Sequence, residues 1–284
     1  MKKGWIIAIS VIVAVIGLLV LLSFTVFSLK DIEIDWRTSK EYILKSDDEI
    51  IENANFKKGS VFFHGKKKYI NQIEKYEPYI KVLNIETVFP SKFVIHVAER
   101  QEIFAVYHKE KYYICDDDFK VLRLADEFIS DQSNSILLKG LNIADEDYAV
   151  GDFMDVQNYQ PIYSALYENN RPLGEQKAMI ESIEMKELYD ENIKQTQPVI
   201  SLKFFNGQTY NIINSSYGLK YKVNLMLEVF SQIYTYIGQT INVNGEDIVL
   251  SEENLKNAII EIRNYYDYRE YGEEDCYFQI FPTV

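Results

Sequence analysis

Gly4 to Leu29 reads GWIIAISVIVAVIGLLVLLSFTVFSL and contains no ionisable side chain. No other stretch limits the chain so strongly. A bilayer core takes about 20 helical residues, so the run is patterned as a transmembrane helix. Lys2 and Lys3 precede it, and Asp31, Glu33 and Asp35 follow shortly after Lys30. Positive charge at the N-terminal flank predicts a cytoplasmic N-terminus. Trp5 is placed to anchor at the interface. The expected organisation starts with a short cytoplasmic tail at 1–4 and a single membrane helix at 5–29, with the remaining chain outside the cytoplasm. A cleaved signal peptide is the alternative. Its apolar core usually has about 7–15 residues and ends at an Ala-x-Ala-like site, whereas this run is longer and no Ala-x-Ala follows it.

The charge is divided unevenly. The chain of 284 residues has a formal charge of −13, and residues 31–284 alone carry 27 basic and 43 acidic side chains, a balance of −16. Nucleic-acid binding needs a basic footprint, so no nucleic-acid partner is expected. With 14% aromatic residues, 12 Gly and 6 Pro, the composition is neither disordered nor collagenous. Two cysteines, Cys115 and Cys276, do not make a disulfide scaffold. Outside the cytoplasm they can pair with each other or serve as small buried hydrophobes, and the sequence leaves both readings open.

Residues 30–100 read as a compact α/β unit. Ile32, Ile34 and Trp36 share one face of an alternating strand. Ser46 to Glu49 forms a capping-box pattern ahead of Ile50, Ile51, Ala54 and Phe56, with Gly59 as the stop. The acids at 47–49 then serve the helix dipole. Tyr69, Ile70, Ile73 and Tyr76 predict a second helix from Lys66 to Tyr76, with Lys66-Lys67-Lys68 as its solvated first turn. Pro78 ends it. A strand follows from Ile80 to Phe89, then a turn at Phe89-Pro90-Ser91-Lys92, then a return strand in which Phe93, Ile95 and Val97 share a face. The order is β-α-α-β-β.

That order, with Ile32-x-Ile34-x-Trp36, Ser46-x-x-Glu49-Ile50, Gly59-x-x-Phe62-Phe63 and Tyr79-Ile80-x-Val82, resembles a POTRA domain. The run Phe89-Pro90-Ser91-Lys92-Phe93-x-Ile95-x-Val97-x-Glu99-Arg100 is similar to the signature of the FtsQ/DivIB family of bacterial cell-division proteins. The resemblance implies a short cytoplasmic tail, one membrane helix, a POTRA domain at 30–100 and a β-rich domain at 101–284. The fold class expected is α+β, with a mixed sheet and a packed helix in the second domain.

In that second domain, Glu102–Val106, Lys111–Cys115 and Lys120–Leu124 read as strands, with Asp116-Asp117-Asp118 as a turn. Phe119 stands where the family often has Gly. Leu138-Lys139-Gly140 and Val150-Gly151 occupy further family landmarks. A short helix is expected at Pro161–Glu168, strands at Ile180–Met185 and Val199–Phe205, a hairpin turn at Asn206-Gly207 and a strand at Tyr210–Ile213. Leu219, Val223, Met226, Phe230, Ile233 and Ile237 form one apolar helical stripe ended by Gly238. Strands at Asn257–Asn264 and Cys276–Phe281 close the chain, and Asn244–Glu253 reads as an insertion relative to the family.

No catalytic set emerges, and an enzyme is not expected. The three histidines, His64, His96 and His108, lack the spacing of a zinc-protease motif, and no C-x-x-C or G-x-S-x-G occurs. The triplet Asp116-Asp117-Asp118 lacks the alternating oxygens and distal Glu of an EF-hand, so a turn is preferred to a metal site. No cofactor is expected.

Binding remains. β-rich modules without a catalytic set suit β-strand addition, in which a partner strand docks on an exposed sheet edge. The resemblance implies partners of the FtsB/FtsL type, small bitopic division proteins, and control of the septal peptidoglycan synthase complex at the division septum. The residues expected to bind lie in the last strands: Ile262, Arg263, Tyr265, Tyr277, Phe278 and Ile280. Ile262 and Ile280 can equally face the core, and Arg263 can form a rim ion pair. Tyr265, Tyr277 and Phe278 are aromatic and interface-like. Two other classes stay open: a membrane-anchored enzyme acting on wall polymer, and a POTRA component of protein transport.

Overall fold

The structure is a computed structural model that describes residues 2–25, 28–54, 56, 66–129, 135–167, 172–190, 194–265 and 275–283. The chain divides into two compact units, Met1–Gln101 with Ala149–Asp152, and Glu102–Tyr148 with Phe153–Val284.

The first unit begins with helix α1, Lys2–Thr25. Its side chains from Ala8 to Leu21 are exposed throughout. Among the described residues, no helix is long and apolar enough to cross a membrane. The apolar run also does not all enter the helix. Ser28 and Leu29 are buried, and Leu29 belongs to the core of the first unit. The Lys30 and Asp31 amides then donate to the Ser91 carbonyl at 2.8 and 3.3 Å.

Strand β1 (Asp31–Trp36), helices α2 (Asp47–Asn53) and α3 (Lys66–Tyr76), and strands β2 (Ile80–Val88) and β3 (Lys92–Glu99) follow in the expected order. The sheet runs β1-β3-β2, with β3 parallel to β1 and antiparallel to β2. Phe93, Ile95 and Val97 are fully buried against Ile50, Tyr69 and Ile73 of the helices' core cluster. Only half of the capping box forms. Ser46 Oγ accepts from the Glu49 amide at 3.3 Å, while the Glu49 carboxylate takes the Tyr76 hydroxyl at 3.3 Å. Gly59, Phe62, Phe63 and His64 lie outside the described residues.

The signature pair that ends β3 holds this unit together. The Glu99 carboxylate accepts from three successive backbone amides, Glu41, Tyr42 and Ile43, at 2.6, 2.7 and 2.9 Å. It thereby fixes a connection that has no regular structure to satisfy its own N–H groups. Arg100 is buried. Its guanidinium donates to the Ile80 carbonyl at 3.2 Å and to Glu74 at 3.0 Å, and Glu74 in turn accepts from the Val82 amide. The glutamate and arginine are thus structural braces. His96 lies half-buried between Asp35 at 2.8 Å and Glu86 at 3.1 Å, one carboxylate from each flanking strand.

In the second unit, strands β4 (Phe104–His108), β5 (Lys111–Cys115), β6 (Val121–Ala125) and β7 (Ile136–Lys139) precede a small pair, β8 (Asn142–Ile143) and β9 (Val156–Gln157). Helices α4 (Gln160–Tyr167) and α5 (Leu173–Met179) lead into strands β10 (Ile180–Asp190), β11 (Gln195–Phe204) and β12 (Thr209–Ile213). Helix α6 (Leu219–Gln232) continues as a 3₁₀ turn at Ile233–Tyr236. A separate hairpin, β13 (Thr240–Val243) and β14 (Glu246–Val249), precedes the short helix α7 (Glu252–Leu255) and strands β15 (Ile259–Asn264) and β16 (Cys276–Phe281). The main sheet has nine strands in the order β16-β15-β12-β11-β10-β7-β4-β5-β6.

Phe119 takes the left-handed backbone expected of the family's glycine, with φ of 59°. Its ring is buried and stacks on Phe104 at 5.3 Å, so packing offsets a backbone geometry that costs a β-carbon about 1–2 kcal/mol. Gly140, at φ of 70°, is required by close approach, since a β-carbon there would meet the Met185 carbonyl oxygen at 1.9 Å.

The stripe on α6 is partly corrected. Val223, Met226 and Ile233 are buried as expected, but Ile237 is exposed because the chain tightens to 3₁₀ geometry and leaves the helical phase. Val229 is buried instead, and so is Lys222, which is fully enclosed. The stretch 244–253, read as an insertion, forms the tip of the β13–β14 hairpin, the whole of β14 and the first half of α7. A disulfide within the chain is excluded, since both cysteines are free. Cys115 and Cys276 stand on β5 and β16, seven strand steps apart in the sheet, or on the order of 30 Å. A disulfide needs Cα atoms within about 7 Å. Cys115 packs against Met154 Sδ at 3.7 Å, and burial pushes its thiol pKa far up.

Candidate partner-binding edge

The last two strands pair antiparallel, with Ile260 opposite Ile280, Ile262 opposite Phe278, Arg263 opposite Tyr277 and Asn264 opposite Cys276. Alternation then sorts the six candidate residues onto two faces. Ile262 is fully buried and Ile280 nearly so, both in the core cluster that includes Val223 and Met226 of α6. Their side chains are therefore not available to a partner, which corrects the expectation for these two. Phe278 shares their face. It packs against the same core and meets Tyr236 edge-on at 5.6 Å.

The opposite face carries Arg263, Tyr277 and, just past the strand, Tyr265. The two tyrosine rings lie 4.9 Å apart, and Tyr265 is exposed. Arg263 is braced within the chain. Its guanidinium contacts buried Asp190 at 2.6 Å and Glu261 at 2.7 Å, so it ties β15 to the far end of β10. A buried, charge-assisted pair of this kind acts as a brace whose loss leaves Asp190 uncompensated.

Strand β16 ends the sheet order, and among the described residues no strand pairs with its outer side. A terminal strand of this kind presents backbone donors and acceptors along its edge. Residues 266–274, between β15 and β16, lie outside the described residues.

Beneath this edge lies the group that the sequence reading missed. Lys222 projects from the first turn of α6 into the core, and its ammonium donates to the carbonyls of Ile213 at 2.7 Å and Asn214 at 2.8 Å. These close the β12–α6 connection. Burial, with no carboxylate partner among the described residues, lowers the Lys222 pKa to about 8, partly countered by the nearby Cys276. The signal available in sequence was its position, one residue before Val223 on the edge of the apolar stripe. A lysine there ordinarily snorkels to solvent.

The remaining candidates for chemistry are tied up in structure. Asp116, Asp117 and Asp118 bring their carboxylates within 4.8 Å of one another. The Asp116 carboxylate accepts from the Asp118 and Lys120 amides at 3.0 and 2.8 Å, which makes it the staple of the β5–β6 turn. Asp117 accepts from the Tyr167 hydroxyl at 3.3 Å; burial and then the charge of Asp117 push that phenol up to about 12. His108 bonds the Glu146 carbonyl at 3.0 Å.

A β-α-α-β-β unit with this sheet order defines the first unit as a POTRA domain, and residues 40–100 match the family model described as POTRA domain, FtsQ-type. Two relatives match stretches longer than that domain match. The chain is 39% identical over 83 residues to a Cell division protein DivIB of Clostridium acetobutylicum, covering 29% of this chain and 32% of that protein. It is 31% identical over 144 residues to a Cell division protein DivIB of Clostridium tetani, covering 49% of this chain and 50% of that protein. The matched stretches thus span half or less of these relatives' own lengths. Together the matches bear out the resemblance to the FtsQ/DivIB family and support a cell-division protein of that type.

Proposed function

We propose that this protein is a membrane-anchored division scaffold that receives a partner strand on the outer edge of β16. The observation that carries this reading is the place of β16 at the end of the nine-strand sheet, with Tyr277 and Tyr265 beside it. Added backbone pairing supplies affinity, and the tyrosine pair supplies selection along the incoming strand. Ile262, Phe278 and Ile280 hold the edge flat from below, and Arg263 braces it from the other face. The partners proposed are small bitopic division proteins of the FtsB/FtsL type, and the outcome is control of the septal peptidoglycan synthase. The helical part of the uncharged run, residues 4–25, is the proposed anchor, with the N-terminus cytoplasmic and both units extracytoplasmic at the septum.

The test compares two substitutions in the full chain. Tyr277→Lys places a charge on the half-buried face away from the core and is expected to weaken binding of a partner-derived peptide at least tenfold, a change of about 1.4 kcal/mol, while leaving the thermal transition in place. Phe278→Lys puts an ammonium into the core face and is expected to lower the transition itself. Unchanged peptide affinity for Tyr277→Lys moves the site away from β16.

A further inference from the structure

We propose that Asn244 is a site of spontaneous deamidation, and that Asn206, which is also followed by glycine, is protected by the fold. The chemistry is intramolecular. The Gly245 backbone nitrogen attacks Asn244 Cγ, the side-chain nitrogen leaves as ammonia, and a five-membered succinimide forms. Water then opens the ring to aspartate or isoaspartate. Glycine in the following position favours this because it has no β-carbon to crowd the attacking nitrogen.

The two Asn-Gly steps share the following glycine but differ in exposure, in side-chain bonding and in the pairing that holds the turn. Asn244 and Gly245 form the tip of the β13–β14 hairpin, with φ of 54° and 90°, and both are exposed. Apart from its chain neighbours, no described residue has an atom within 4 Å of where a Gly245 β-carbon would stand. Among the described residues the Asn244 side chain has no hydrogen-bond partner. Ring closure requires the Asn244 backbone to leave its turn conformation, so the hairpin must open locally. Among the described residues β13 and β14 pair only with each other and only Ile241 of their side chains packs against the core, and a two-strand hairpin with so little support is marginal in water. Its base is held by reciprocal bonds of Gly238 and Gln239 with Leu250, at 2.8 Å each. The tip is held by little beyond Asn242, whose side chain accepts from the Gly245 amide at 3.1 Å. Local opening of such a segment is far less costly than global unfolding.

Asn206 is the opposite case. Its turn joins β11 and β12 in the middle of the nine-strand sheet. Both ends of its amide are bonded, Oδ1 from the Gln208 amide and Nδ2 to Gln208 Oε1, each at 3.1 Å. A β-carbon on Gly207 would meet the Asn257 side chain at 2.0 Å, so the glycine is packed in place. Closure there requires opening β11 and β12.

The consequence is local. Isoaspartate adds a backbone carbon to a two-residue turn, so the Val243–Glu246 pairing is lost, and a further negative charge joins Glu246 and Asp247.

The experiment is peptide mapping by mass spectrometry of the full chain held at mildly alkaline pH and physiological temperature. The expected result is an amide-to-acid mass change in the peptide carrying Asn244, resolved into aspartyl and isoaspartyl forms. Its extent should exceed that at Asn206 by at least about tenfold. Unfolding the chain in denaturant should make the two sites convert alike. Equal conversion at both sites in the folded chain, or none at Asn244, overturns the proposal. So does hydrogen exchange in which the β13–β14 amides are as protected as those of β11–β12.

Discussion

Replacing Lys222 with methionine tests what a buried amine, bonded only to carbonyls among the described residues, does to this fold. Methionine keeps the length and removes the charge. In the folded chain the amine has a pKa near 8 against an ordinary 10.5. At about 1.4 kcal/mol per unit, keeping the ammonium buried costs on the order of 3 kcal/mol. The sign follows from linkage. Above the unfolded value the amine is neutral in both states and the cost vanishes. As pH falls from 10.5 towards 8, the unfolded chain takes up a proton that the folded chain refuses, so stability falls. Below 8 the cost is complete and constant. Lys222→Met abolishes that dependence but leaves the Ile213 and Asn214 carbonyls without their donor, at about 1–3 kcal/mol. At neutral pH the two effects oppose each other, and the variant should match wild type to within about 2 kcal/mol. At pH 10.5 only the carbonyl loss remains, and the variant should be the weaker. The assay is urea unfolding of both full chains across this window, following the transition that the substitution moves. Titrations not coupled to Lys222, such as those of the tyrosines, are common to both chains and cancel in the difference, and carrying Cys276→Ser in both chains removes the one thiol that is coupled to it. A wild-type-minus-variant difference that stays flat with pH would refute the reasoning.

Two further substitutions address the braces. Glu99→Ala strips the acceptor from three backbone amides and is expected to destabilise the first unit by about 3 kcal/mol or more, read as a lowered thermal midpoint, with partial recovery in Glu99→Gln. Phe119→Gly relieves the left-handed backbone by about 1–2 kcal/mol but removes a buried ring worth about 3–5. The second unit should therefore lose stability in denaturant titration, and a gain would show that the stack on Phe104 contributes little.

The first unit was legible because its signals are local and mutually consistent. Helix α3 has the bounds that Tyr69, Ile73 and Tyr76 predict, and β3 buries the face that Phe93, Ile95 and Val97 mark. The second unit was legible strand by strand but not as a sheet. Nothing near Ile136 announces that β7 lies parallel to both β4 and β10, because such pairings join residues distant in sequence. The β13–β14 hairpin escaped notice although Asn244-Gly245 is a hairpin signal, since its strands are short and expose most of their side chains. In the candidate edge, spacing located the strands but not which face met the core. Ile262 and Ile280 read as binding residues until α6 is seen to lie beneath them. Arg263 could not be matched to Asp190 from sequence, because 73 positions separate them.

The seam between β12 and β15 is parallel, so α6 and the β13–β14 hairpin must cross over before β15 can settle beside β12. A chain emerging from the ribosome therefore presents β12 as its temporary margin, with Tyr210 and Ile212 uncovered on one side. Only when residues 259–281 arrive does the margin move outward to β16. The edge proposed for a partner thus forms only at the far side of a slow, long-range closure. A chain stalled or clipped before β15 would keep β12 as its margin and lack the proposed edge altogether.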